Sequence, residues 1–309
     1  MTYGWAILII AVVLAALFEL GVFNVLNLEP HVAPGACQVY RPEGPSTIAY
    51  MSLSGECNGY LPQFVARFNG KSTNISAPLS ALYLMNKGQF AVTAWIYANG
   101  ATGTEQIPVS IGADVCYTSY YNGPNDTGVI LLGAPAYPSS APSSSQPDFF
   151  KAAACIFNTT YNGAQWEWVS SNFTQTDYNT WIFVATTYNG TYLDLYINGK
   201  LANKTRAPGT MLIPKGYISI GNMYSPIYSG SRFWYNGSIS NVQVYNESIS
   251  AQGVDYLYNG GIGEPPEELT KLALWIPLNG NAGDYSGNTY GNQFYNGSYY
   301  GWIDNYRQT

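Results

Sequence analysis

The stretch WIFVATTYNGTYLDLYINGK, Trp181 to Lys200, decides the fold. Leu193, Leu195 and Ile197 alternate with Tyr192, Asp194 and Tyr196, a period of two that sends one set into a core and leaves aromatics and a carboxylate on the other face. Asn189-Gly190 and Asn198-Gly199 close the turns at either end. Asn-Gly is the strongest short hairpin signal, because both residues tolerate positive φ. The dipeptide recurs at Asn58, Asn69, Asn99, Asn122, Asn162, Asn236, Asn259, Asn279 and Asn296. Its irregular spacing argues against a propeller or solenoid of fixed period. Further strand-like runs are Phe90 to Tyr97, Trp166 to Val169, Tyr217 to Ile220 and Ser240 to Tyr245. Long helical periodicity is absent after residue 28, apart from a turn at Ser250 to Tyr258. These features predict a mainly β head.

Composition narrows the chemistry. The chain has 309 residues, 47% of them hydrophobic, enough for one large or two small domains with a real core. Asp, Glu, Lys and Arg make up only 10%, against roughly 25% in an ordinary soluble domain. Polar surface comes instead from 28 Tyr, 32 Gly and abundant Asn, Ser and Thr. A formal charge of -6 provides no basic field for phosphates, so nucleic acid is not an expected partner. The single histidine, His31, removes most metal-site and triad chemistry.

FNGKSTNI (Phe68 to Ile75), VTAWIY (Val92 to Tyr97), TWIFVATTYNGTYLDLYINGKLA (Thr180 to Ala202), YISIGN (Tyr217 to Asn222) and YNGSISNVQVYNESIS (Tyr235 to Ser250) follow one another in an informative order. The series resembles the laminin-G-like, concanavalin A-like jelly-roll β-sandwich, over about 64 to 262. That resemblance implies two antiparallel sheets, one convex and one concave, with ligands on the concave face or the rim loops. It specifies fold and leaves activity open, since lectins, adhesion modules and glycosidases share the sandwich. LWIPLNGNAGDYSGN (Leu274 to Asn288) resembles the opening strand and turn of the same family, displaced to the C-terminus. Residues 263–309 are therefore expected to fold back on the head as an edge strand with residues 37 to 63.

The first 28 residues differ from the rest. GWAILIIAVVLAALF, Gly4 to Phe18, is apolar apart from the Trp5 indole, and LGVFNVL follows Glu19. At about 1.5 Å per residue, a helix from Gly4 to Leu26 reaches roughly 35 Å, enough to cross a bilayer core. No Lys or Arg precedes Arg41, which fits a cleaved signal peptide poorly. The segment resembles the N-terminal helix of archaeal type IV pilins, which implies assembly of copies through helices, with Gly4, Trp5 and Glu19 as assembly positions. The basic leader and processing site expected upstream are not in the sequence, so a chain that begins late, or a form without them, is expected. Glu19 is read as interfacial, at the membrane surface.

Beyond residue 30 the chain reads as exported. Residues 29–63 form a disulfide-bearing neck with first strands. Cys37, Cys57, Cys116 and Cys155 allow three pairings, and sequence neighbours suggest Cys37 with Cys57 and Cys116 with Cys155. With one imidazole and no CxxC, disulfides in an oxidising space explain them better than zinc. Asn-x-Ser/Thr sequons at Asn74, Asn125, Asn158, Asn172, Asn189, Asn203, Asn236, Asn246 and Asn296 point to a glycosylated outer-surface head. Gly133 to Phe150 is a Pro/Ser-rich insertion, a surface loop that the second cysteine pair would tether.

Function follows by elimination. A glycosidase needs two carboxylates flanking one cleft. The strand signature Glu-x-Asp-x-x-Glu of the glucanase branch is missing. Glu167, between Trp166 and Trp168, and Asp194 are the pair that could be imagined, so no catalytic residue and no reaction are predicted. Glycan binding needs only aromatic faces and polar edges. Tyr192, Asp194 and Tyr196, with Asn241, Gln243 and Tyr245 on a second strand, supply that mixture at period two; an ordinary polar sheet face is the alternative. No cofactor is required. Calcium could be held near Asp284, although a turn braced by side-chain hydrogen bonds accounts for that segment equally. The chain is expected to be a cell-surface filament subunit or adhesin, with copies of itself, the membrane and glycans as partners. A membrane-anchored monomeric lectin and a concanavalin A-like glycoside hydrolase are the alternatives.

Overall fold

The computed structural model describes residues 64–78, 88–100, 105–112, 116, 129–134, 148–158, 163–212, 217–225, 230–259, 264–266, 269–286, 294–295 and 298–301. All belong to one compact unit, residues 39–309. The apolar helix with Gly4, Trp5 and Glu19, the neck with His31, Cys37 and Cys57, and the sequons at Asn125 and Asn296 lie outside the described residues.

The early strands are β1 (Phe64–Asn69), β2 (Ile75–Pro78), β3 (Phe90–Ala98), β4 (Gln106–Gly112), β5 (Val129–Ala134), β6 (Asp148–Asn158) and β7 (Gly163–Phe173). Next come β8 (Trp181–Tyr188), β9 (Tyr192–Ile197), β10 (Lys200–Arg206), β11 (Thr210–Met211), β12 (Tyr217–Ile220), β13 (Met223–Ser225) and β14 (Gly230–Arg232). β15 (Asn236–Tyr245), helix α1 (Ala251–Tyr258), β16 (Leu272–Ile276), β17 (Phe294–Tyr295) and β18 (Ser298–Gly301) complete the unit. One antiparallel sheet has the order β10-β9-β8-β3-β15-β1-β18, with β16 also on β15. The second has the order β11-β6-β5-β4-β12-β2-β17, with β7 paired to β6, and β13-β14 is a separate hairpin.

The two sheets bury alternate residues against each other, as period two requires. Val92, Ala94, Ile96, Val184, Leu193, Leu195, Val242 and Val244 come from the first sheet; Val109, Ile111, Ala152, Ala154, Ile156, Ile218 and Ile220 come from the second. Tyr188 is buried among them, its hydroxyl shared between the Ala207 and Gly209 carbonyls at 2.8 and 2.9 Å. At the open side of the sandwich, β10 clasps β7: Asn203 Nδ2 donates to the Ser170 carbonyl and Thr205 Oγ1 to the Trp168 carbonyl, both at 2.8 Å.

The decisive hairpin forms as read. Asn198 and Gly199 both have positive φ (49° and 77°), which joins Ile197 to Lys200 in a two-residue turn. Asn189 works differently: its Oδ1 accepts from the Thr191 and Tyr192 amides, an Asx turn. Asn236-Gly237 is no turn at all. It lies inside β15, where a Cβ on Gly237 would strike the Tyr97 carbonyl and the Tyr235 ring, so the glycine serves close strand approach. Cys116 and Cys155 form a disulfide, the second of the two expected pairs. The Pro/Ser-rich insertion joins the paired strands β5 and β6. The C-terminal segment returns to the head as β16 on β15, β17 on β2 and β18 on β1.

Candidate functional site

The outer face of the first sheet is closed. Trp95, Tyr97, Trp181, Phe183, Tyr196, Tyr245 and Trp275 form a second apolar layer with Val254 and Leu257 of α1 laid over it. Ser250 caps that helix through its Oγ, which accepts the Gly253 amide, and Asn259 ends it in the left-handed conformation. Of the expected glycan residues, Tyr196, Asn241, Gln243 and Tyr245 are therefore buried, and Tyr192 and Asp194 half-buried. β9 and β15 are also separated by β8 and β3, so the two triplets lie two strands apart on that covered face.

The triplet on β15 is instead an internal network. Trp275 Nε1 donates to Asn241 Oδ1 at 2.8 Å and Gln243 Nε2 donates to the same oxygen at 3.1 Å. Asn241 Nδ2 and Gln243 Nε2 both donate to the Glu264 carbonyl at 3.0 Å, and the Tyr245 hydroxyl donates to Gln243 Oε1 at 2.5 Å. Asp284 is a second bracing group. Its Oδ1 accepts from the Trp275 and Ser286 amides and its Oδ2 from the Ser286 hydroxyl. Burial outweighs those bonds and raises its pKa.

Glu167 and Asp194 do not face one cleft. Glu167 shares the core-facing side of β7 with Val169 and Phe173, where Gln165 Nε2 donates to it. It adds to the burial that pushes Tyr188 up to about 12. Asp194 alternates with the core residues Leu193 and Leu195 and therefore points away, outside the first sheet. Burial raises its pKa, with Lys204 opposing.

The outer face of the second sheet is arranged differently. In register, one transverse row of outward positions runs Ser76, Ser219, Ser110, Leu131, Ala153 and Trp168. Ser110 and Ser219 are buried, whereas Trp166 and Lys151 are half-buried, Trp168 is 38% exposed and Tyr217 of β12 is 48% exposed, so the face is open at β7 and again at Tyr217. There the Trp166 and Trp168 rings stack at 5.2 Å. Lys151 Nζ lies 3.8 Å over the Trp168 ring and 3.2 Å from Glu105 Oε1. Cys155 is opposite Trp166, so the disulfide fixes the chain after β4 beside this pair.

Beneath the tryptophans, Ile107, Ala153 and Met223 form a small apolar cluster on which Trp166 and Phe233 pack. Phe233 has a φ of 55°, a conformation costly for a bulky side chain and found where surrounding structure holds it for a purpose. Asn222, next to Met223, is fully buried, and neither Nδ2 nor Oδ1 has a hydrogen-bond partner. A buried amide with both polar atoms unpaired is a cost of about 1–3 kcal/mol per group unless water reaches it. The sequence signal for this site was the alternation Trp-Glu-Trp at Trp166 to Trp168; nothing local pointed to Lys151, Glu105 or Asn222.

Among the described residues the sequons divide by exposure. Asn172, on the same outward side of β7 as Trp168, Asn189 and Asn203 are exposed; Asn74 and Asn236 are half-buried; Asn158 and Asn246 are buried. No group of His, Cys, Asp and Glu able to hold a metal occurs among the described residues, nor any helix long and apolar enough to cross a membrane.

Comparison with known proteins agrees with the architecture. Residues 69–255 match the family described as the concanavalin A-like lectin/glucanases superfamily. That is more than half of the chain, and the chain belongs to that superfamily. No curated protein matches the sequence. Among solved structures, a Bacteroides ovatus protein assigned to carbohydrate binding superposes with a TM-score of 0.52 at 18% identity, covering 78% of this chain and 61% of the other. The chain thus spans about three fifths of that structure's length. The heptameric SAP-like pentraxin of Limulus polyphemus gives 0.47 at 12% identity, covering 77% of this chain and 94% of the other. The CBM40 of the Ruminococcus gnavus IT-sialidase, bound to α2,3 sialyllactose, gives 0.42 at 12% identity, covering 63% and 98%.

Proposed function

We propose that this member of the concanavalin A-like superfamily is a non-catalytic glycan-binding head, displayed outside the cell on its apolar N-terminal helix, and that it holds sugars on the outer face of the second sheet. The stacked Trp166–Trp168 pair, with Trp168 38% exposed at the edge of that face, carries this reading. Indole surfaces match the C–H faces of sugars, and polar groups at their margin match the hydroxyls. Lys151 and Glu105 supply a donor and an acceptor there. The fold family supports sugar binding only as a class. Glu167 and Asp194, on different sides of the first sheet, support the absence of hydrolysis.

The Cys116–Cys155 disulfide supports an oxidising location. The apolar run Gly4 to Phe18 supports anchoring, and its resemblance to pilin helices supports assembly of copies into a filament with the sandwich as its sheath. The test uses the full chain in detergent on a broad array of neutral and acidic oligosaccharides. Binding should fall at least about tenfold in Trp168→Ala, the scale of a lost aromatic hot spot. Silence across the array, or binding untouched by that substitution, would refute the site. Filament assembly is tested separately: subunits should be recovered in sheared surface filaments, and Glu19→Ala should alter their yield. Recovery solely as solubilised monomer would favour a simple anchored lectin.

A further inference from the structure

We infer that Glu105 sets the class of glycan accepted by the tryptophan face, which is uncharged sugars, and excludes anionic ones. This rests on the glycan-binding reading above and deepens it. Along β7 the outward positions run Trp166, Trp168, Ser170, and β6 places Lys151 opposite Ser170. The ammonium and the Trp166 ring therefore lie toward opposite ends of Trp168, in a column of indole, indole and cation. Glu105 completes the column by binding Lys151 Nζ at 3.2 Å, with the two side chains only 29% and 24% exposed.

The consequence is electrostatic. A sugar carboxylate needs an unpaired cation beside the aromatic face it stacks on. Here the cation is already neutralised, and an approaching anion meets the Glu105 carboxylate itself, partly withdrawn from the solvent that would screen it. Lys204 and Arg206 are set by their register partners Asp194 and Tyr192 on the outer side of the other sheet, which leaves, among the described residues, Arg232, opposite Met223 on the β13–β14 hairpin, as the cation outside the Lys151–Glu105 pair nearest this face in register. A formal charge of -6 adds long-range repulsion. A neutral sugar finds the reverse: Lys151 has protons left to donate, and Glu105 has a second oxygen to accept from hydroxyls.

The experiment compares matched probes, galacto- and gluco-oligosaccharides against the corresponding galacturonate and glucuronate oligomers, on the full chain in detergent. Thermal melts confirm that each variant is folded. The unsubstituted protein should prefer the neutral probe by about tenfold, from the cost of placing like charges together. Glu105→Gln should raise the ratio of uronate to neutral binding by about fivefold, the worth of a freed surface ion pair. Glu105→Gln with Lys151→Gln should lose that gain. Uronates bound as well as neutral probes by the unsubstituted chain, or an unchanged ratio in Glu105→Gln while Trp168→Ala abolishes neutral binding, would overturn the inference alone. Neutral binding that persists in Trp168→Ala, or no probe bound at all, would instead defeat the glycan-binding reading, and the inference with it.

Discussion

Replacing Gln243 by methionine separates a structural from a ligand-binding role for the β15 triplet. The two side chains are close in length and volume, so packing changes little and the polar contacts are what is removed. Gln243 makes three of them: donation to Asn241 Oδ1, donation to the Glu264 carbonyl, and acceptance from the Tyr245 hydroxyl. The first two acceptors each keep another donor, Trp275 Nε1 and Asn241 Nδ2 respectively. The Tyr245 hydroxyl loses its short bond, and a buried group so treated costs about 1–3 kcal/mol. The two weakened acceptors add roughly 0.5 kcal/mol each, for a total of about 2–4 kcal/mol. In a unit of this size that corresponds to a fall in Tm of roughly 5–15 °C. Calorimetry or melting followed by circular dichroism measures it, alongside glycan binding well below Tm. A Tm within about 2 °C of the parent, a shift too small for any such loss, together with weakened glycan binding, would refute the network as a structural brace and return Gln243 to the ligand.

Three further outcomes follow from particular contacts. Gly221→Ala places a Cβ in the Phe68 ring at a φ of +86°, so it should cost about 3 kcal/mol by overpacking and left-handed strain; urea denaturation with an unchanged midpoint would contradict this. Asp284 and Asp194 both have folded pKa values raised by burial, so the folded state holds their protons more tightly, and the stability they contribute is present in acid and lost as pH rises through the folded values. Asp284→Asn should flatten that part of a pH-resolved melting series, and a series parallel to the parent's would count against it. Glycopeptide mapping should find sugar on the exposed Asn172 and Asn189 and none on the buried Asn158 and Asn246. Asn203 should also be bare, because the amide nitrogen that would carry the sugar is donated to the Ser170 carbonyl; full occupancy there would show that β10 does not clasp β7 in this way.

What was legible in the sequence was local. Alternation along Tyr192 to Ile197 correctly assigned Leu193 and Leu195 to the core, because strand geometry fixes which neighbours share a face. The two Asn-Gly pairs around β9 were turns, and Ser250 to Tyr258 became a capped helix. Asn236-Gly237 failed as a turn signal because its glycine answers a distant demand, the nearness of the Tyr97 carbonyl on β3. The expected sugar face failed for a similar reason. Periodicity tells that Tyr196 and Tyr245 point away from the sandwich interior, and says nothing of what lies outside; α1 lies there, with Trp275 of β16 in the same apolar layer. Trp166 and Trp168 had the same pattern and the opposite fate, and only strand order placed Lys151 and Glu105 beside them.

That contrast bears on how a chain with so few charges divides its surface. On the outer side of the first sheet, tyrosine and tryptophan are sealed by a short helix, and Asn241, Gln243, Tyr245 and Trp275 are bonded to one another there, which is the condition for burying them without loss. On the second sheet the aromatics stay at the margin, one cation is stacked on a ring and neutralised, and two costs remain uncompensated: the left-handed Phe233 and the unpaired Asn222. Thr93 Oγ1 and Asp194 Oδ1, on the outer side of the first sheet, are also buried without a hydrogen-bond partner, so an unpaired polar atom does not by itself mark a face for a ligand; the stacked and partly exposed Trp166–Trp168 pair is what distinguishes the second.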